Sequence, residues 1–328
     1  MEYTQLGRTG LKVSRLVLGT MNFGPQTDEA DSHAIMDAAL DAGMNFWDTA
    51  NVYGQGENKG RTESIIGSWF AKGGDRRDKV VLATKVNGYM GTGDPWPNHN
   101  KLSAVNIRRA VDASLKRLQT DHIDLYQFHH VDRLTPWDEI WQAIDVLVQQ
   151  GKILYAGSSN FAGWHIAQAN EAARRRSSLG LVSEQCLYNL AERRAENEVI
   201  PAAQEYGLGV IPWSPLHGGA LGGVIKKTVQ GGRRAGGRAA DSLADPAKRG
   251  QIQAYEDLLD KHGLEPGEAA LAWLLTRPGV TGPIIGPRTQ EQLDSAIRAV
   301  ELELSGDLLK SLDEIFPEQG PSPEAFAW

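Results

Sequence analysis

The apolar runs of this chain are short, rich in β-branched and aromatic residues, and most carry a polar side chain at or just past their C-terminal end. Leu16–Leu18, Met44–Trp47, VVLATKV, IDLYQFHH, ILYAGSSNF, LVSEQCLYN and LGVIPWSP are such runs. Segments of helical spacing lie between them, with Ile35 and Ala39 in one and Ile107, Val111, Leu115 and Leu118 in another. Runs that are apolar on both faces read as buried strands of a parallel sheet. Asp48, Lys85, His129, Ser159, Gln185 and Trp213 with Ser214 mark their ends, each about one βαβ unit from the last, roughly 30 residues.

Strands that carry chemistry only at their C-terminal ends predict a (β/α)8 barrel, whose site is built from its βα loops. A doubly wound sheet would need a glycine-rich phosphate turn after its first strand, and GTMNFGPQT stands there instead. Residues 1–15 read as a β-hairpin (YTQLG, a TG turn, LKVS with Leu11 and Val13 alternating) placed to cap the barrel bottom.

Helix signals follow in order. Thr27 or Asp28 caps the first, the second runs from about Thr62 to Phe70, and Ser103 caps the third. The fourth takes Thr135 as its cap, with Pro136 in first position and Gly151 beyond its end. Further helices fall at about 162–176, 192–206, 250–262 and 267–276, and a closing one starts near Thr289 after the last strand, VTGPIIG. The stretch 217–248 breaks the pattern with clustered glycines and with Lys226, Lys227, Arg233, Arg234 and Arg238. It predicts a long flexible loop on the site face of one barrel domain spanning 1–328, because the barrel resumes after it. The tail ends in Phe326 and Trp328.

Composition narrows the function classes. A net charge of −7 without a basic stripe argues against a nucleic-acid partner. A lone cysteine, Cys186, makes no internal disulfide and points to a reducing compartment. No leader-like or membrane-length apolar run is present, so a cytoplasmic protein without membrane contact is expected. GQGENKG misplaces the third glycine of a dinucleotide loop, and GGVIKKT lacks the Gly-Lys-Thr junction of a phosphate loop. His129 and His130, as strand neighbours, should face opposite ways, and without an HxH or HExxH nearby no metal site is expected.

Asp48, Tyr53, Lys85 and His129 remain, and together they make a tuned phenol. Free tyrosine titrates near 10, too high for efficient acid–base work at neutral pH. A neighbouring ammonium lowers that value, and a carboxylate would hold the ammonium charged. His129 can bond a substrate oxygen and pass or orient a proton. Singly, each residue has an ordinary packing explanation; four on three successive strands and a loop do not.

The hairpin YTQLGRTGLKVSRLVLGT, the block MNFWDTANVYG, the strand ends ATK and DLYQFHH, and GKILYAGSSNF, WSPL and IIGPRT together resemble the aldo-keto reductase family over nearly the whole chain. The resemblance implies hydride transfer from NADPH to the carbonyl carbon of a small aldehyde or ketone. Its catalytic tetrad falls on Asp48, Tyr53, Lys85 and His129, with Tyr53 protonating the oxygen. It also implies cofactor contacts from Gly19, Thr20, Met21 and Asp48 at the first strands. Ser159, Asn160 and Gln185 would hold the carboxamide, and Trp213 would stack on the nicotinamide ring. Ser214, Pro215 and Leu216 would meet the pyrophosphate, with Gly286, Arg288 and Gln292 at the adenosine end and Arg288 on the 2′-phosphate. Many relatives carry Asn where this chain has Ala296. Met21, Tyr53, Trp96 and His129 would line the substrate pocket. A nucleotide-linked keto-sugar reductase, a redox-sensing partner subunit and a Schiff-base aldolase using Lys85 stay open, as does the oligomeric state.

Overall fold

The computed structural model describes residues 1–229, 237–320 and 322. An antiparallel hairpin, β1 (Tyr3–Gln5) and β2 (Lys12–Ser14), precedes eight parallel strands. These are β3 (Val17–Gly19), β4 (Phe46–Asp48), β5 (Val81–Val86), β6 (Ile123–Phe128), β7 (Ile153–Ser159), β8 (Leu181–Gln185), β9 (Gly209–Val210) and β10 (Ile284–Ile285). They pair in chain order, and β10 returns to β3. A bridge between Val210 and Val280, with Thr281 N donating to Val210 O at 2.8 Å, joins the last two sides. The predicted (β/α)8 barrel and its hairpin are both present.

Because both strand faces are covered, the core falls into two layers. Leu16, Leu18, Trp47, Leu82 and Tyr126 pack outward against the helices. Val17, Phe46, Val81, Ala83, Leu125, Val182 and Ile211 fill the barrel with Leu6 and Val13 of the hairpin. The hairpin therefore plugs one end. Gly7 lies against the chain at Val182, Gly207 and Gly209 with a φ of +54°, and an added Cβ would stand 2.5 Å from Gly207 O.

Helices fill the intervals: α1 (Glu29–Asp41), α2 (Arg61–Phe70), α3 (Ala104–Leu118), α4 (Trp137–Gln149), α5 (Gly163–Arg175) and α6 (Val199–Glu205). Asp28 caps α1 by accepting from Asp31 N, and Ser103 caps α3 in the same way from Asn106 N. The start of α4 differs from expectation by one residue. Pro136 is the N-cap, and the Thr135 hydroxyl donates to Asp132 Oδ2 at 2.6 Å instead. The helix expected over 192–206 is a single 3₁₀ turn at Arg194–Glu196 followed by the short α6.

The long loop expected at 217–248 is largely helical where it is described. It contains α7 (Val224–Val229) and α8 (Arg238–Ala244), and α9 (Pro246–His262) begins within it. Ala220, Val224, Ala239 and Ile252 make a small apolar cluster of their own, which gives these turns something to bury against. Gly231, Gly232, Arg233, Arg234 and Gly236, like Phe326 and Trp328, lie outside the described residues. The chain closes with α10 (Pro266–Thr276), α11 (Gln290–Arg298, capped by Thr289) and α12 (Gly306–Ile315). No helix among the described residues is long and apolar enough to cross a membrane.

Candidate active site

Side chains two positions apart on a strand share a face. Phe46, Ala83 and Leu125 point into the barrel, so Asp48, Lys85 and Gln127 also point inward, one layer nearer the C-terminal ends. Register aligns them: Lys85 is opposite Gln127, and Ser159 is opposite Gln185. The Lys85 ammonium donates to Asp48 Oδ2 at 2.5 Å, to Thr49 O at 2.9 Å and to the Tyr53 hydroxyl at 3.1 Å. The other carboxylate oxygen, Asp48 Oδ1, accepts from Gln127 Nε2 and Gln185 Nε2, both at 2.9 Å. Tyr53 reaches the ammonium from the loop beyond β4, where Gly60 N donates to Tyr53 O at 2.8 Å. Lys59 ties this loop to the segment after β5 by donating to Tyr89 O and Gly91 O, each at 2.9 Å.

The electrostatics correct one expectation, that Lys85 brings the phenol below its ordinary value. Burial pushes the Tyr53 phenol above its ordinary value; Lys85 pulls the other way, and the Asp48 carboxylate pushes up again. The net direction is upward, so the lysine does not make a free phenolate. Burial alone would lower Lys85, but Asp48 and Tyr53 outweigh it and hold the ammonium above its usual range. His129 follows β6 with its ring edge-on to Tyr53, centroids 6.1 Å apart. Burial, the Lys85 charge and His130 lower its pKa to about 2. His129 is thus held neutral near neutral pH, a hydrogen-bonding group. The rings of His129 and His130 stack in parallel at 5.0 Å, contrary to the opposite facing expected, because β6 has ended at Phe128 and strand alternation no longer applies.

A second group of strand-end residues adjoins this cluster. The Ser159 hydroxyl donates to Gln185 O at 3.0 Å, and Asn160 Nδ2 donates to Ser159 Oγ at 3.0 Å and His129 O at 3.1 Å. Asn160 stands at φ +60°, a left-handed conformation that Asn tolerates better than most residues. Its Oδ1 accepts from the Trp213 indole at 3.0 Å. The Trp213 ring is half-buried, with the Arg238 guanidinium 4.7 Å from its centroid. Ser214 and His217 adopt positive φ around the turn Ser214–Gly218, where Gly218 N donates to Ser214 Oγ at 3.1 Å; Pro215 is buried there and Leu216 half-buried. A flat indole face beside convergent amide and hydroxyl groups fits a planar ring bearing a carboxamide.

The remaining predicted residues fall around the rim. Thr20 Oγ1 donates to Asp48 O at 2.9 Å. Gly19 has room for no side chain, since a Cβ would lie 2.4 Å from Ile284 Cγ2. Arg288 donates from Nη1 to Gln26 Oε1 at 3.1 Å and from its backbone to Gln292 Oε1 at 2.9 Å. Among the described residues it has no carboxylate partner. Asn22 joins the same rim by donating to Gly286 O at 2.8 Å. Ala296 is buried at the core face of α11. Met21 is 50% exposed and Trp96 71% exposed, so neither is packed into an enclosed pocket. Gln127, Gln26 and Asn22 were not anticipated. Gln127 was findable, as it lies two residues past the inward Leu125; nothing local marks the other two.

A family model described as "Aldo/keto reductase family" matches residues 15–316. The chain belongs to this family. An uncharacterized oxidoreductase of Bacillus subtilis is 56% identical over 100% of both chains. A versiconal hemiacetal acetate reductase of Aspergillus parasiticus is 33% identical over 98% of this chain and 99% of its own. An Arabidopsis thaliana protein named "Probable voltage-gated potassium channel subunit beta" is 32% identical over 99% and 100%. Membership makes this aldo-keto reductase an oxidoreductase.

Proposed function

We propose that this aldo-keto reductase reduces a small aldehyde or ketone with NADPH, using Tyr53 as general acid. The observation that carries the reading is the Lys85 ammonium, 2.5 Å from Asp48 and 3.1 Å from Tyr53 at the barrel's C-terminal end. A phenol whose proton is held above the ordinary range is protonated at neutral pH, as a proton donor must be. When bound, a reduced nicotinamide supplies the hydride. Tyr53 gives its proton to the carbonyl oxygen, and Lys85 stabilises the phenolate left behind. Neutral His129 bonds that oxygen and orients it. Ser159, Asn160, Gln185 and Trp213 hold the carboxamide and ring, Ser214 to Leu216 the pyrophosphate, and Arg288 with Gln292 the adenosine end. A Schiff-base mechanism on Lys85 needs a neutral amine, and the raised proton affinity of this lysine opposes it.

Arg288 carries the choice between the two nicotinamide cofactors. A guanidinium fork without a carboxylate partner among the described residues, beside the start of α11, suits the 2′-phosphate that NAD lacks. Hydrogen bonds to charged groups contribute about 1.5–3 kcal/mol, and about 1.4 kcal/mol is tenfold, so NADPH should be preferred by about 10–100-fold. Titrating both cofactors against tryptophan emission in wild type and Arg288→Ala tests this. Equal affinities in wild type, or a preference that survives the substitution, would remove Arg288 from the site. An NADPH-oxidation screen over aldehydes, ketones and keto sugars, with no substrate turned over, would overturn the reductase reading.

A further inference from the structure

The barrel uses only one face of α5. Ile166, Ala169, Asn170 and Ala173 are buried, and Trp141 Nε1 of α4 donates to Ala169 O at 2.8 Å, which fixes the helix from behind. The other face carries Trp164, Gln168, Glu171 and Arg175, all exposed, at steps of four, three and four. Such steps put them on one stripe about three turns long. The Trp164 residue stays 50% exposed although His165 packs on its ring, with centroids 3.6 Å apart. It joins Trp137 in lining a groove of about 420 Å³ between α4 and α5. Leu134, 80% exposed, follows Arg133, whose guanidinium lies 5.8 Å from the same indole. Contiguous apolar surface of this kind marks an interaction site.

The stripe is also self-complementary. Laid antiparallel against a copy of itself, it sets Trp164 on the partner's Arg175 and Gln168 on the partner's Glu171, and a two-fold axis between positions 168 and 171 makes each contact twice. The groups are available for it. Arg175 makes no ion pair among the described residues. Among those residues Glu171 uses Oε1 alone, for Arg174 Nη1 at 2.7 Å and the Tyr206 hydroxyl at 3.1 Å, and Oε2 remains for an amide N–H. Beside the stripe, Ala167 and Ala172 carry too little bulk to hold a second helix away. We propose that α5 is the two-fold contact of a homodimer, anchored by the Trp164 indole against the partner's Arg175 guanidinium. A different protein would not need this match between the two ends of one helix.

Sedimentation of the full chain over a range of concentrations tests this. Wild type should sediment as a dimer that dissociates on dilution. Gln168→Glu sets two carboxylates against Glu171 across the axis and should raise the dissociation constant about tenfold, whereas Gln168→Arg makes two ion pairs and should lower it. Trp164→Ala removes the anchor twice and should raise it about a hundredfold. Gln168 is exposed, so far-UV circular dichroism and Tm of its variants should stay close to wild type, and these two decide if Trp164→Ala loses its fold. A wild type that is monomeric up to its solubility limit overturns the proposal. So does a dimer whose dissociation constant is the same in Gln168→Glu and Gln168→Arg, since it would be built on another face.

Discussion

Tyr53 sits 3.1 Å from an ammonium, yet burial and the Asp48 carboxylate leave its phenol holding its proton more tightly than a free tyrosine does. A donor in that state serves reduction, because it starts protonated and yields a phenolate that the ammonium can hold. Tyr53→Phe should lower kcat by about 10²–10⁴, with NADPH affinity nearly unchanged in a parallel titration. A near-wild-type rate would remove Tyr53 from the acid step. His129 makes the opposite kind of statement. Its folded pKa of about 2 lies below the unfolded value near 6.5, so the unfolded chain binds the extra proton between the two. The stability contributed by neutral His129 is complete above about pH 6.5 and is lost as pH falls toward the folded value. Chemical unfolding of His129→Gln should show a shallower loss of stability on acidification, by up to one proton. An unchanged slope would mean that the imidazole is protonated in the fold.

At the scale of elements, β7 and β8 are braced by a buried carboxyl. Glu184 accepts from Phe161 N at 3.0 Å, and its Oε2 lies 2.5 Å from Ser158 Oγ, so it spans Ser159 and Asn160 from both sides. The register of the two strands shifts between Ala156 and Ser158 at this place. Burial raises Glu184 from 4.5 to about 8 despite those hydrogen bonds. Here the folded state binds the extra proton, so the contribution is full below about pH 4.5 and is lost as pH rises through about 8. Glu184→Gln mimics the protonated form and should gain on wild type in unfolding free energy as pH rises across that window. A constant difference between the two proteins would show the carboxyl already ionised in the fold. Local rules served the caps at Asp28 and Ser103 and missed by one residue at Thr135. They misread 217–248, where glycine content outweighed the apolar Ala220, Val224, Ala239 and Ile252 that give α7, α8 and α9 a shared face.

For the whole molecule, the hairpin separates stability from chemistry. Leu6 and Val13 are completely buried among inward residues of the barrel at the end away from Asp48 and Lys85. Arg8 donates to Tyr206 O and Leu179 O, and Arg15 to Leu275 O and Val280 O, both at 2.6 Å, which pins the hairpin across the closing strands. Leu6→Ala should cost about 2–5 kcal/mol in stability and lower Tm, with kcat/KM retained below the transition. A loss of activity in the folded variant would mean that the plug sets site geometry as well.

The sequence by itself determined the barrel, the hairpin, the caps of α1 and α3, and polar residues at strand ends such as Asp48 and Lys85. Burial on both strand faces writes apolar runs that any reading detects, and the strand period carries Asp48 and Lys85 inside once Phe46 and Ala83 are seen to face the barrel interior. Tertiary structure decided how those residues titrate. The direction of the Tyr53 shift depends on how burial weighs against an ammonium and a carboxylate 2.5 Å apart, and no spacing along the chain contains that balance. It also decided that Gln127 meets Gln185 across β7 and that Gln26 meets Arg288 over 262 positions of chain, because closing a barrel brings together side chains whose only shared property in the sequence is a place near the end of a strand.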